Sequence, residues 1–239
     1  MIVCRTTEET RRDNVDSFLY IFAGQNKSEG KRDFTVSIIG DDHHLLTGLA
    51  RLVERAGYPM QGFTSAADFL RQHETNTPGC VIIDLQSPDL DCRKLQGTLA
   101  REELPLPVIF IAEINDVLAS VRVMKAGAFD VLPKPVDGQL LLSAISLAAE
   151  RDAQLRREHE KRIAIRRKFA ALTCRETEVL RHVIAGRLNK QIAFELRVVE
   201  KTIKVHRAHV AKKLGTRSIV ELVRLASTAG VTPYTSGNS

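Results

Sequence analysis

The chain has few of the residues that build covalent or metal-held frameworks. Its four cysteines, Cys4, Cys80, Cys92 and Cys174, fall into no CxxC pair. That spacing argues against a zinc ribbon or a disulfide scaffold and points to reduced thiols in a cytoplasmic protein. No window approaches 18 uninterrupted apolar residues, so no membrane-spanning helix is expected. Met1 to Arg12 carries charges where a secretory leader needs an apolar core, so export is not expected either.

Charge is present in quantity but unevenly placed. Residues 1–33 hold six basic and six acidic side chains. Residues 34–150 hold nine basic and fifteen acidic, net −6. Residues 151–239 hold twenty basic and eight acidic, net +12, which returns the whole-chain +6. A sign change of this size predicts two domains with different partners, the basic one facing a polyanion.

The pattern supports five segments: an N-terminal extension over 1–33, a domain over 34–148, a helical linker over 149–168, a second domain over 169–230 and a tail over 231–239. The extension is polar apart from Phe18-Leu19-Tyr20-Ile21-Phe22 and carries no specific signal.

From Phe34 short apolar runs alternate with helical patterns. Strands are expected over 35–39, 59–63, 80–84, 107–111 and 129–132. Helices are expected after each, one starting at the Ser65-Ala66-Ala67-Asp68 capping-box spacing and one N-capped by Asn115. The strands are apolar throughout, as strands covered on both faces are. Five strands alternating with five helices predict a doubly wound, five-stranded parallel α/β sheet. Polar chemistry in such sheets gathers at the carboxyl ends of the strands. Asp41 and Asp42 follow strand one, Asp84 ends strand three, Ala112 follows strand four and Lys134 follows strand five. Clustered carboxylates there suit a hard cation such as magnesium, and an exposed aspartate can attack phosphorus to give an acyl phosphate. Adjacent His43 and His44 diverge on a helix and make no metal site.

The linker over 149–168 is charged, with a sparse apolar stripe of Leu147, just before it, and Leu155, Ile163 and Ile165. It reads as a continuation of the fifth helix, either a solvated spacer or a short dimerising coiled coil. The second domain reads as four short helices. The first opens on the Thr173-Cys174-Arg175-Glu176 capping box and the second on Asn189. The third runs from Glu200 to Leu214 and ends at Gly215, and the fourth runs from Ser218 to Ala229, with Val220, Leu222, Val223 and Leu225 apolar. Helix periodicity sends Ile203, Val210 and Leu214 of the third helix to a core and leaves Lys201, Lys204, Val205 and Ala208 outside.

Residues 35–150 resemble the receiver domain of two-component response regulators. The matching pieces are the strand-one acids, Asp84 followed by Pro88, Val123-Met124-Lys125-Ala126-Gly127-Ala128 and Lys134-Pro135. The resemblance implies Asp84 as phosphoacceptor, Lys134 as the phosphate-pairing lysine, and Asp41, Asp84 and Asp42 around a magnesium ion. Several positions depart from the family pattern. Gly40 stands where the first of two acids is usual. Ala112 replaces the strand-four hydroxyl that swings toward the phosphate, and Val131 replaces the aromatic switch residue on strand five. Ser87 and Cys92 stand for a usual methionine and glycine. The parts for accepting a phosphate are mostly present, whereas the parts for reading it are reduced.

Residues 169–230 resemble the LuxR-type helix-turn-helix of FixJ-like and NarL-like regulators. The resemblance is carried by Leu172-Thr173, Arg175-Glu176, Glu178-Val179-Leu180, Gly186, Asn189-Lys190, Ile192-Ala193, Leu196, Lys201 to His206, Lys213-Leu214 and Glu221-Leu222-Val223. It implies Lys204 and Val205 at base edges. Lys190, Lys201, Thr202 and Arg207 are expected to grip phosphates. Val199 stands where a capping serine or threonine is usual, a loss of about 1 kcal/mol.

The expectation is a cytoplasmic, non-enzymatic transcription regulator with double-stranded DNA, a sensor histidine kinase and a second copy of itself as partners. The alternative is a phosphorylation-independent regulator whose degenerate receiver serves dimerisation or binds another protein or ligand. A pure adaptor competing for a kinase fits poorly with the basic helix.

Overall fold

A computed structural model describes residues 33–87 and 92–235. The chain parts into two compact units between Arg156 and Arg157. Phe18 to Phe22 and Pro88 lie outside the described residues.

The first unit holds β1 (Thr35–Ile39), α1 (His43–Arg55), β2 (Met60–Phe63), α2 (Ala66–Gln72), β3 (Gly79–Asp84), α3 (Cys92–Leu99), β4 (Val108–Glu113), α4 (Val117–Lys125) and β5 (Asp130–Lys134). The strands form one parallel sheet in the order β2-β1-β3-β4-β5. Alternate strand residues face opposite layers. Val36, Ile38, Ile82, Ile109 and Ile111 pack with Leu46, Leu49 and Val53 of α1 and with Leu141, Ile145 and Ala148 of the following helix. Ile39, Val81, Ile83 and Phe110 pack with Phe69 of α2, Leu95 and Leu99 of α3 and Val123 of α4. Central strands buried on both faces explain the unbroken apolar runs.

Three local features fix this unit. A β-carbon at Gly79 would meet the carbonyl oxygen of Thr35 at 2.4 Å, so β3 starts pressed against β1 where no side chain fits. Ser65 caps α2, its hydroxyl accepting from the Asp68 amide and donating to the Asp68 carboxylate. Asp116, not the expected Asn115, caps α4 by accepting from the Ala119 N–H. Ala112 and Lys134 sit inside β4 and β5 rather than after them. β5 runs on through Pro133, an exposed residue on an edge strand, where the missing N–H breaks no necessary bond.

α5 (Gly138–Ala170) spans 33 residues without interruption, so the charged stretch is helical as expected. Leu140 and Leu147 on it are exposed. Buried Asp152 accepts from Arg156 Nε at 2.8 Å. The same guanidinium donates to the carbonyls of Asn76 and Thr77, tying α5 to the loop before β3.

The second unit adds α6 (Cys174–Ile184), α7 (Asn189–Glu195), α8 (Glu200–Leu214) and α9 (Ile219–Ala229), nine helices in all among the described residues. Val179, Leu180, Val183, Ile192, Ile203, Val210, Leu214, Leu222 and Phe169 form its core. The Thr173–Glu176 capping box closes α6. Leu188 precedes α7, and Gln191 Oε1 accepts from its N–H at 2.9 Å, so Asn189 is not the cap. Val199 supplies no side-chain cap to α8, as its sequence requires. α8 ends on Gly215 at φ +80°, a left-handed position suited to glycine. Val220 and Val223 of α9 are exposed; Leu222 is the buried member of that group.

Candidate functional site

The order of the sheet reverses between β1 and β3. In open parallel sheets the crevice at that point, beyond the strand carboxyl ends, is where ligands bind. Asp84, the last residue of β3, lies there and is 4% exposed. Its Oδ2 accepts from Lys134 Nζ at 2.9 Å, and its Oδ1 accepts from the Gln86 N–H at 3.2 Å. Lys134 reaches it from β5 and stands 4.0 Å from Glu113 Oε1. A nearly buried carboxylate thus has a fixed cation on one oxygen and a backbone donor on the other. This arrangement fixes the direction in which the carboxylate points.

Asp41 follows β1. Its Oδ1 accepts from the Ser87 hydroxyl at 2.6 Å, and its N–H donates back to that hydroxyl at 3.2 Å. Asp42 turns the other way. Its Oδ1 accepts from the His44 and Leu45 amides at 2.8 and 3.2 Å, capping α1. Those bonds, the Leu45 amide first, hold its carboxyl below the usual range. Asp42 thus spends Oδ1 on the start of α1, while the charge of Lys134 in the crevice still acts on it. Among the described residues no group of three histidine, cysteine, aspartate or glutamate side chains converges. A β-carbon on Gly40 would sit 3.3 Å from the Asp84 β-carbon. Ala112, 1% exposed, offers no donor, and Val131 packs half-buried against the core.

The second unit presents α8. Ile203, Val210 and Leu214 are buried, while Lys201, Lys204, Val205 and Ala208 are exposed, as helix periodicity predicts. Lys204 pairs loosely with Glu200 at 3.3 Å on an exposed face, a contact of little strength. Thr202 is half-buried near the helix start, and Lys190 is exposed on α7. Arg207 differs from expectation in one respect. It donates to Asn189 Oδ1 at 2.8 Å and so ties α8 to α7. The turn between these helices passes through Arg197 at φ +51°.

Two groupings escaped the sequence. Ser87 and Asp41 are 46 residues apart, and nothing local signals their bond. Tyr234 belongs to the stretch read as a plain tail, but its ring stacks on His182 at 4.0 Å and lies 4.5 Å from the Arg187 guanidinium carbon. Its hydroxyl donates to Glu195 at 2.5 Å, and Arg187 donates to the same carboxylate at 2.6 Å. Both contacts hold the Glu195 carboxyl below its usual range, the Tyr234 hydroxyl foremost. Burial under this strap, then Arg187, lowers the pKa of His182.

Residues 36–146 match the family described as response regulator receiver domain, and residues 170–226 match bacterial regulatory proteins, luxR family. Nodulation protein W of Bradyrhizobium diazoefficiens is 36% identical over 205 residues, spanning 85% of this chain and 90% of the relative. Transcriptional regulatory protein FixJ of Azorhizobium caulinodans is 34% identical over 198 residues, 83% and 94% of the two chains. The solved structure of response regulator StyR superposes with a TM-score of 0.70 at 37% identity, covering 82% of this chain and 98% of that one. The chain belongs to the response regulators that join a receiver domain to a LuxR-type helix-turn-helix.

Proposed function

We propose that this regulator controls transcription from the cytoplasm as a homodimer on double-stranded DNA, and that phosphorylation of Asp84 by a sensor histidine kinase sets its DNA affinity. The observation that carries the reading is the Asp84–Lys134 pair at 2.9 Å on the sheet edge beside Asp41. An Asp84 oxygen attacks the phosphorus of a phosphohistidine. The new O–P bond forms as the P–N bond breaks, and the imidazole leaves with the electron pair and takes a proton from water. Lys134 stays beside the carboxylate and offsets the charge the phosphoryl group brings.

Magnesium is held by one or two carboxylates plus waters, so Asp41 and Asp84 would hold it, with Asp42 close by at the start of α1. Bound there, it would neutralise phosphoryl oxygens. On α8, Lys204 and Val205 read base edges, while Lys190, Lys201, Thr202 and Arg207 hold phosphates and Ala208 lets the helix approach closely. Arg207 does so while braced by Asn189. A module this small needs a second copy to cover enough DNA. The apolar stripe of Val117, Leu118, Val121 and Met124 on α4, all at least 44% exposed, supplies a surface for one. The chain thus acts by binding rather than by turning over a substrate.

The test is incubation with acetyl phosphate and magnesium, read by intact mass. The expected result is one phosphoryl adduct on the wild type and none on Asp84→Asn. An adduct that persists in Asp84→Asn rejects the assignment. Ala112 favours a second reading, in which the receiver acts without phosphorylation. An adduct that forms and leaves DNA affinity unchanged would select it.

A further inference from the structure

A phosphoryl group on Asp84 would bring about two negative charges and three strong acceptor oxygens into a nearly buried crevice. Lys134 answers one of those oxygens. β4, the strand next to β3, offers Ala112, whose side chain has no donor. Something else must supply a hydrogen bond that exists only in the phosphorylated state, because a switch needs contacts that differ between its states.

Ser87 meets that requirement. It lies three residues beyond Asp84, its N–H donates to the Asp84 carbonyl at 3.3 Å, and it is 6% exposed. Its hydroxyl is held by Asp41 through both bonds described above. A β-carbon built on Gly40 would stand 3.8 Å from that hydroxyl and 3.3 Å from the Asp84 β-carbon. The same point lies 3.5 Å from Leu46 Cδ2, so the Ser87 hydroxyl, the Asp84 β-carbon and a Leu46 methyl all border the space that a side chain at residue 40 would fill. Rotation of χ1 from one staggered well to another moves a serine oxygen by about 2 Å. The partner it leaves, a carboxylate, and the partner it gains, a phosphoryl oxygen, are both charged acceptors, so the exchange is between bonds of the same kind.

We propose that Ser87 is the phosphate-reading residue of this receiver: its hydroxyl rests on Asp41 when Asp84 is free and donates to the phosphoryl group when Asp84 carries one. This rests on the reading of Asp84 as phosphoacceptor. The exchange also uncouples the segment after β1 from the segment after β3, so the change starts at Asp41 and Ser87 rather than at Ala112 and Val131.

The test uses the full-length protein with magnesium and beryllofluoride, an analogue of the phosphoryl group. Bound-fluorine NMR reports occupancy of Asp84, and DNA affinity reports the response. The wild type should bind the analogue and gain at least fivefold in DNA affinity, within the usual range for coupled sites. Ser87→Ala should still bind the analogue but lose the gain. Ser87→Thr, which keeps the hydroxyl, should retain it. Ser87→Ala combined with Ala112→Thr should recover it, because a hydroxyl returns from β4; a merely structural role for Ser87 predicts no such rescue. A full gain in Ser87→Ala overturns the proposal while leaving Asp84 in place. No bound-fluorine signal in the wild type overturns the Asp84 reading and this inference with it.

Discussion

Replacing Glu176 tests how the DNA-binding unit is held together. Glu176 is the third residue of α6 and 4% exposed. Its Oε2 accepts from the Thr173 N–H at 2.8 Å and from Lys213 Nζ, near the end of α8, at 2.6 Å. Lys213 also donates to the Ala171 carbonyl at 3.0 Å, so one carboxylate joins the start of α6, the end of α5 and the end of α8. The Lys213 contact, followed by the Thr173 amide, lowers its pKa from 4.5 to about 2. At roughly 1.4 kcal/mol per pKa unit this corresponds to about 3 kcal/mol at neutral pH. Lys213 is 36% exposed, and screening reduces the figure to about 2 kcal/mol. A lowered carboxyl pKa means the contribution is complete above pH 4.5 and fades as pH falls toward 2. Glu176→Gln keeps the shape and removes the charge. In urea unfolding followed by circular dichroism, its second unit should be about 2 kcal/mol less stable than wild type at pH 7. The gap should close to less than half at pH 3. A gap under about 0.5 kcal/mol at pH 7, or one unchanged at pH 3, would refute the reasoning.

Three further outcomes follow from the geometry. Gly79→Ala forces a β-carbon against the Thr35 carbonyl and should cost the first unit about 3 kcal/mol, read as a lower melting temperature. Arg197→Gly relieves a left-handed residue in the turn before α8 and should raise the second unit's melting temperature by about 4 °C, near 1 kcal/mol. Leu118→Glu places a charge on an apolar face where Leu118 is 71% exposed. It should leave unfolding within about 0.5 kcal/mol of wild type yet abolish the proposed dimer in sedimentation velocity, and a dimer unchanged by it would remove that face from consideration.

The sheet was legible because parallel strands covered on both faces leave runs such as Cys80-Val81-Ile82-Ile83 that no surface strand tolerates. The ends were less so. Pro133 reads as a breaker, yet on the edge strand β5 its missing N–H costs nothing, and the strand continues to Lys134. Caps failed where a neighbour competed for the role: Asp116 for Asn115, and the long reach of Gln191 to the Leu188 amide for Asn189. The freed Asn189 side chain then braces Arg207, a contact across 18 residues that no local pattern announces. The meeting of Asp84 and Lys134 was readable because strand carboxyl ends converge wherever the sheet is parallel. The capping of α1 by Asp42 was not read from the sequence, since a residue one step past the strand can turn back to its helix. Ser87 on Asp41 and Tyr234 on His182 depend on tertiary packing alone.

The most direct measurement of the central claim is DNA affinity across a salt series, for wild type and Asp84→Asn, with and without magnesium and beryllofluoride. Binding should weaken steeply as salt rises, because the proposed phosphate contacts of Lys190, Lys201 and Arg207 release counterions. The analogue should tighten it only when Asp84 is present. Affinity that ignores salt would contradict a DNA-binding role for α8, and a response that survives Asp84→Asn would contradict control through Asp84.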